Sequence, residues 1–325
     1  MKHCSVSFRF KTVVPMLVFC AMALPGVVAF AGEVEQRAVN IWSDGTRLSG
    51  DVFSPKDRDE GELLPAIVLC HGWGGVKSHL NSTYAPKFAA AGFVVLTFDY
   101  RGWGESDSRL VIQGDAPTPD EAGMAMVQVQ MIRELVDPVD QIEDIQNAID
   151  FIEGEPGVDP DRIGIWGTSF GGGLVIWTAA HDSRVKCVVS QVGAQDGRSS
   201  AMERAEGGLK RLHEKEILRA RGELPPVPQG EDAVPGLRGT PYMSRFAKYA
   251  PVDFADAIQV PVLFIDAENE ELFDRHQHSE KVYNLIKDRV KTVYHVEPGI
   301  EHYGIYRERY PQASSLALEW FQENL

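Results

Sequence analysis

Apolar runs of four to six residues alternate with longer amphipathic stretches from about residue 64 to the end of the chain. The runs Pro65–Cys70, Phe93–Phe98, Ile163–Trp166, Cys187–Gln191, Val260–Ile265 and Thr292–Val296 are rich in β-branched and aromatic residues and read as buried strands. Between them, Tyr84–Ala91, Gln141–Ile152, Gly171–Ala180, Gln277–Ile286 and Ala313–Glu323 carry apolar positions at helical spacing. Strands alternating with helices predict an α/β fold with a mostly parallel sheet covered on both faces. Ahead of this region, Val39–Trp42 and Leu48–Phe53 flank Ser43-Asp-Gly-Thr46, and the Asp-Gly pair predicts a hairpin turn.

Two segments break the alternation. Residues 108–138 carry Met124, Met126, Val127, Val129, Met131, Ile132 and Leu135 at mixed helical spacing, as an extra packed helix or a pocket lining would. Residues 194–250 join a charged helix at about Met202–Arg221 to a loop rich in proline and glycine, Glu223–Pro241. Both leave the carboxyl ends of strands, where open α/β sheets bind ligands, so both are expected to be lid insertions.

The chain has 325 residues, of which 44% are hydrophobic, enough for a single large domain over residues 32–325. Its start stands apart. Lys2, Arg9 and Lys11 precede an apolar stretch from Val13 to Phe30, and Ala29-Phe-Ala31 offers small residues where a signal peptidase cuts. Residues 1–31 are therefore expected to be a signal peptide, which makes the protein secreted or periplasmic with no stable membrane association after cleavage. The formal net charge of −15 argues against nucleic acid or an anionic membrane as partner. Cys4 and Cys20 fall in the export segment, leaving Cys70 and Cys187 as buried free thiols rather than a disulfide framework. No Cys/His pattern has metal-ligand spacing, and no glycine-rich nucleotide motif follows a strand. The sequence implies neither a metal nor an organic cofactor.

The candidate chemistry begins at Gly167-Thr-Ser-Phe-Gly171. A strand precedes it, Arg162-Ile-Gly-Ile-Trp166, and a buried helix follows. Gly-x-Ser-x-Gly in that frame is a nucleophile elbow, a sharp turn that lifts the serine hydroxyl clear of the sheet. It makes Ser169 the candidate nucleophile and aims the first helix amides, beginning with Phe170, at a developing oxyanion.

A nucleophilic serine needs a base, an acid to orient that base, and a second oxyanion donor. His302, in the turn-rich Glu297-Pro-Gly-Ile-Glu-His-Tyr-Gly304 after the last strand, is the candidate base. His181 and His213 fall on solvated helix surfaces, His276 and His278 on a charged helix start, and His295 within a strand. The acid should leave the preceding strand, where Asp266, Glu268, Glu270, Glu271 and Asp274 crowd one loop. Most of these must be solvated bystanders. Asp266 ends the strand and is expected to be held there, whereas Glu270 lies far enough along the loop to reach the histidine. His71-Gly-Trp-Gly-Gly75 follows the first buried parallel strand, and its glycines permit close backbone approach. The Trp73 amide is the second candidate oxyanion donor. His71 itself reads as structural.

Taken together, His71-Gly-Trp-Gly-Gly75, Asp99-Tyr-Arg-Gly-Trp-Gly-Glu-Ser106, Gly167-Thr-Ser-Phe-Gly171, the acidic loop near Glu270 and Gly299-Ile-Glu-His302 resemble the α/β-hydrolase superfamily. Within it, the likeness is to dienelactone-hydrolase-like and secreted esterase or peptidase branches. The resemblance implies an eight-stranded, mostly parallel sheet and a Ser-His-acid hydrolase with Glu270 as acid. It also implies structural roles for Asp99 and Arg101. Two departures stand out: dienelactone hydrolases proper use cysteine as nucleophile, and aspartate is commoner than glutamate at the acid position.

This points to hydrolysis of a small-molecule carboxylic ester through an acyl-enzyme on Ser169. An aminopeptidase or dipeptidyl-peptidase-like activity on short peptides is the main alternative, and cofactor-free perhydrolysis uses the same groups. A non-catalytic binding protein on a hydrolase fold is the reading from a different class. The sequence leaves the natural substrate and the oligomeric state open.

Overall fold

A computed structural model describes residues 32–59, 61–198 and 208–325; the expected signal peptide and residues 202–207 of the expected charged helix lie outside the described residues. The chain opens with β1 (Val34–Ser43) and β2 (Thr46–Pro55), joined at Asp44-Gly45 as the Asp-Gly pair predicts. Then follow β3 (Leu64–Cys70), α1 (Lys77–Asn81), α2 (Tyr84–Ala89) and β4 (Val94–Phe98). The first irregular segment holds β5 (Arg109–Gln113), β6 (Gln128–Ile132) and β7 (Leu135–Val136), and leads into α3 (Pro138–Glu153). Next come β8 (Val158–Thr168), α4 (Phe170–His181) and β9 (Val185–Gln191). The second irregular segment holds α5 (Gly208–Ala220), β10 (Thr240–Pro241) and α6 (Met243–Phe246). The chain closes with β11 (Val262–Ala267), α7 (Ser279–Ile286), β12 (Thr292–Glu297) and α8 (Tyr310–Asn324).

The main sheet has eight strands in the order β1-β2-β4-β3-β8-β9-β11-β12. Only the pairs made by β2 are antiparallel; from β4 to β12 every pair is parallel. Strands buried on both sides must be apolar at every position, and β3 shows why. Its Ala66, Val68 and Cys70 face a core shared with α3, α4 and α7, while Ile67 and Leu69 face a second core under α2 and α8. Cys70 and Cys187 are buried free thiols within these cores.

The register aligns the strand exits. Cys70 pairs with Gly167, Thr168 with Gln191, and Ala267 with Glu297, so the loops after β3, β8, β9, β11 and β12 all leave one edge of the sheet. β3 and β8 are neighbours although β4 separates them in sequence, which makes their junction a topological switch point. The elbow and the His71–Gly75 loop meet there.

The segment 108–138 corrects an expectation. Its methionines form neither a packed helix nor a pocket wall. β5 and β6 pair as an antiparallel hairpin whose Leu110, Ile112, Val129 and Met131 lie exposed, as do Met124 and Met126. The opposite face supplies Val111 and Ile132 to a small cluster with Leu135, Val227 and Tyr242. β7 pairs with β10, so this segment buttresses the second insertion instead of lining the site. Among the described residues no helix is long and apolar enough to cross a membrane.

Candidate active site

Ser169 sits between β8 and α4 at φ 55° and ψ −123°. A non-glycine residue there stores on the order of 1–3 kcal/mol of strain, so its surroundings must hold it. They do so through the backbone. The Ser169 N–H donates to the Gln191 carbonyl at 2.8 Å, and its own carbonyl accepts from Gly172 at 2.9 Å and Ala194 at 3.1 Å. Close packing adds to this clamp. A Cβ on Gly171 would stand 2.5 Å from the carbonyl oxygens of both Cys70 and His71, so only glycine lets α4 start so near the end of β3.

The imidazole of His302, from the turn after β12, reaches back across the edge. Its Nε2 lies 3.1 Å from Ser169 Oγ and its Nδ1 lies 2.7 Å from Glu270 Oε2. A carboxylate can only accept, so Nδ1–H donates to Glu270 and Nε2 accepts from the serine hydroxyl. Both partners are withdrawn from solvent, with side chains 2% exposed. The second oxygen of Glu270 accepts from the Leu272 amide at 3.0 Å.

The neighbouring acids are not the bystanders expected. Glu271 accepts the backbone N–H of His302 at 2.7 Å, and Glu268 accepts that of Gly299, also at 2.7 Å. Backbone bonds from Glu268 to Glu297 and from Asn269 to Ile300 complete a zipper between the two loops. Asp266 is anchored at the strand end, as expected, where it accepts from the Tyr294 hydroxyl at 3.0 Å. Burial pushes its carboxyl up to about 7. Asp274 is spent on a turn, accepting from the His276 amide.

The His71–Gly75 loop passes directly over the elbow: a Cβ on Gly72 would come 2.9 Å from Ser169 Cβ. Phe170 begins α4, so its amide has no intrahelical acceptor, and Trp73 donates no backbone bond among the described residues. The Trp73 indole donates to the Arg238 carbonyl at 3.0 Å and stacks on Phe246, 5.2 Å between ring centres. Arg238 and Phe246 of the second insertion thus hold the loop carrying one expected oxyanion donor.

Together these elements enclose a cavity of about 540 Å³. Trp73, Phe170, Val234, Leu237, Met243 and Phe246 give it an apolar lining, and Tyr303, Tyr306 and Tyr310 line it together with Ser169 and His302. Asp99 and Arg101 serve the scaffold. Asp99 accepts from the amides of Lys77 and Glu105, and Arg101 pairs with the fully buried Asp144. His71 is buried against Tyr100, donates from Nδ1 to the Gly72 carbonyl, and is held down at about 4 by burial. His278, assigned by sequence to a charged helix start, does cap the start of α7, and there it is buried in the cavity wall. Only its Ser279 neighbour and the apolar face of α7 hinted at this.

With this geometry in place, comparison with known proteins gives the class. A family model described as the alpha/beta hydrolase fold matches residues 65–230. An uncharacterized 31.7 kDa protein from the traX–finO intergenic region of Escherichia coli is 30% identical over 299 residues, 82% of this chain and 93% of that protein. The chain belongs to the α/β-hydrolase family. Over a shorter stretch, 45% of this chain and 38% of its own length, a thiohydrolase of Aspergillus aculeatus is 33% identical. The crystal structure of a hypothetical protein from Pseudomonas aeruginosa superposes with a TM-score of 0.65 at 24% identity, covering 91% of this chain and 95% of the other. That likeness concerns the fold alone. The protein is a hydrolase of the α/β fold, and solved structures that share this fold at 16% and 21% identity include a putative dienelactone hydrolase of Klebsiella pneumoniae and an acylaminoacyl peptidase of Pyrococcus horikoshii.

Proposed function

We propose that the protein is a serine hydrolase that cleaves carboxylic esters. The observation that carries this is the hydrogen-bonded chain Ser169–His302–Glu270, at 3.1 and 2.7 Å. His302 takes the Ser169 proton as Oγ attacks the ester carbonyl, and Glu270 stabilises the imidazolium that results. The amides of Phe170 and Trp73 receive the oxyanion. His302 then protonates the departing alcohol, and a water deprotonated by the same ring attacks the acyl-enzyme and releases the acid. This reading is supported further by the apolar cavity at Ser169, which suits an uncharged acyl or alcohol group. A signal peptide over residues 1–31 places the enzyme outside the cytoplasm in the same proposal. Amino-terminal sequencing of the exported protein should begin near Gly32; an uncut start in a membrane fraction contradicts it.

The test is substitution at the nucleophile. Ser169→Ala should keep the fold, lose ester turnover and lose labelling by a fluorophosphonate probe, which in the unsubstituted protein should attach to Ser169 alone. Undiminished turnover in that variant would end the proposal.

A further inference from the structure

His278 has an unusual position for a residue outside the Ser169–His302–Glu270 chain. The residue is 3% exposed yet forms part of the cavity wall, and its ring packs against Phe273 with 4.5 Å between ring centres. Phe273 in turn lies 5.8 Å from the ring of His302, so one aromatic side chain separates the two histidines. The Nδ1 atom accepts the Gln195 amide at 2.8 Å and faces that of Asp196 at 3.3 Å. Both amides are donors, so Nδ1 must carry a lone pair and the proton must sit on Nε2. Burial holds the ring down at about 4, which keeps it uncharged at neutral pH. Among the described residues Nε2–H has no protein acceptor, although the opposite edge of the same ring is fully engaged.

The surroundings define what this donor can meet. Asp196 is the one carboxylate among the described cavity residues, and Arg198 clamps it with bonds of 2.9 and 2.6 Å. Arg198 is itself paired a second time, with Asp253. Neither a free cation nor a free anion is presented to the cavity by these groups. A donor in a cavity wall must find an oxygen when a ligand expels water, or lose a hydrogen bond.

We propose that His278 is a specificity-determining residue whose Nε2–H donates to a second, uncharged oxygen of an otherwise apolar ester, beyond the scissile group. The inference rests on the ester-hydrolase reading above and adds the substrate class: neutral esters carrying an ether, hydroxyl or carbonyl oxygen in addition to the reacting one. His278 orients the substrate and takes no part in proton transfer to Ser169.

The experiment compares full-length esters in which one methylene at a time, in the acyl or the alcohol part, is replaced by an ether oxygen. The unsubstituted enzyme should favour one such position over its methylene counterpart by roughly three- to tenfold in kcat/KM, the effect of one neutral hydrogen bond. His278→Asn keeps an oxygen for the Gln195 amide and removes the cavity donor, so that preference should collapse to about one. His278→Gln restores a donor near the Nε2 position and should recover part of it. A purely structural role would lower turnover of both members of each pair alike. No preference at any position in the unsubstituted enzyme, or one untouched by His278→Asn, overturns the inference while Ser169 still reacts with fluorophosphonate. Absence of that labelling takes down the hydrolase reading and this inference together.

Discussion

Glu270 and Asp266 leave the same strand four residues apart, and their surroundings differ. Glu270 accepts from an imidazole N–H and an amide. Asp266 meets a tyrosine hydroxyl in a fully buried site, and its carboxyl is pushed up to about 7 because burial penalises the charged form. Glu270→Gln should therefore lower ester turnover on the order of a hundred- to ten-thousandfold, with the fold retained. Asp266→Asn should stay active, and its effect should appear in stability. The folded protein keeps the Asp266 proton up to about pH 7 whereas the unfolded chain releases it near pH 4. Asp266 thus favours folding at low pH, and that contribution is lost as pH rises across this window, by up to about 1.4 kcal/mol per pH unit. Denaturant titrations from pH 4 to 8 should show the asparagine variant gaining on the parent as pH rises through the window and holding a constant advantage above it. A parallel pair of curves would mean the carboxyl is ionised throughout, and a dead Asp266→Asn with an active Glu270→Gln would exchange their roles.

At the scale of elements, the elbow depends on how closely α4 approaches the end of β3. Gly171→Ala places a methyl 2.5 Å from two carbonyl oxygens that belong to backbone and cannot swing aside. The helix start must retreat, at a cost of roughly 1–3 kcal/mol, and it takes the Phe170 amide with it. Reduced unfolding midpoint and reduced kcat should appear together; a variant with lower stability and full kcat would separate the amide from the chemistry. The strand–turn–helix frame at this site was legible because its glycines, apolar strand and buried helix all agree. The hairpin β5–β6 was not read as strands. Gln128-Val-Gln-Met-Ile132 alternates with period two, but its neighbours Met124 and Met126 blurred the pattern toward helix. An exposed apolar face also breaks the rule by which strands are usually recognised.

For the molecule as a whole, the question is what an acidic protein encloses. The net charge is −15, yet among the described cavity residues the only carboxylate is Asp196, which Arg198 occupies. A peptide's ammonium would find no free partner there, forgoing a charge-assisted bond of about 1.5–3 kcal/mol. Aryl esters should consequently exceed dipeptidyl anilides by roughly ten- to a hundredfold or more in kcat/KM. A higher specificity constant for an aminoacyl or dipeptidyl anilide would favour the peptidase reading. The succession of main-sheet strands along the chain, the elbow with Ser169, and His302 as its expected partner were legible in the sequence alone, because strand periodicity, turn chemistry and loop position are local properties of the chain; Glu270 was expected from loop position together with the family resemblance. Tertiary structure decided the rest. It turned Glu268 and Glu271 from apparent bystanders into clamps on the His302 loop. It turned the start of α7 inward so that His278 lines the cavity, and assigned the second insertion rather than the first to the pocket. Each of these depends on which carboxyl, ring or loop meets which distant amide across the sheet edge, and residue type and spacing along the chain carry no record of that meeting.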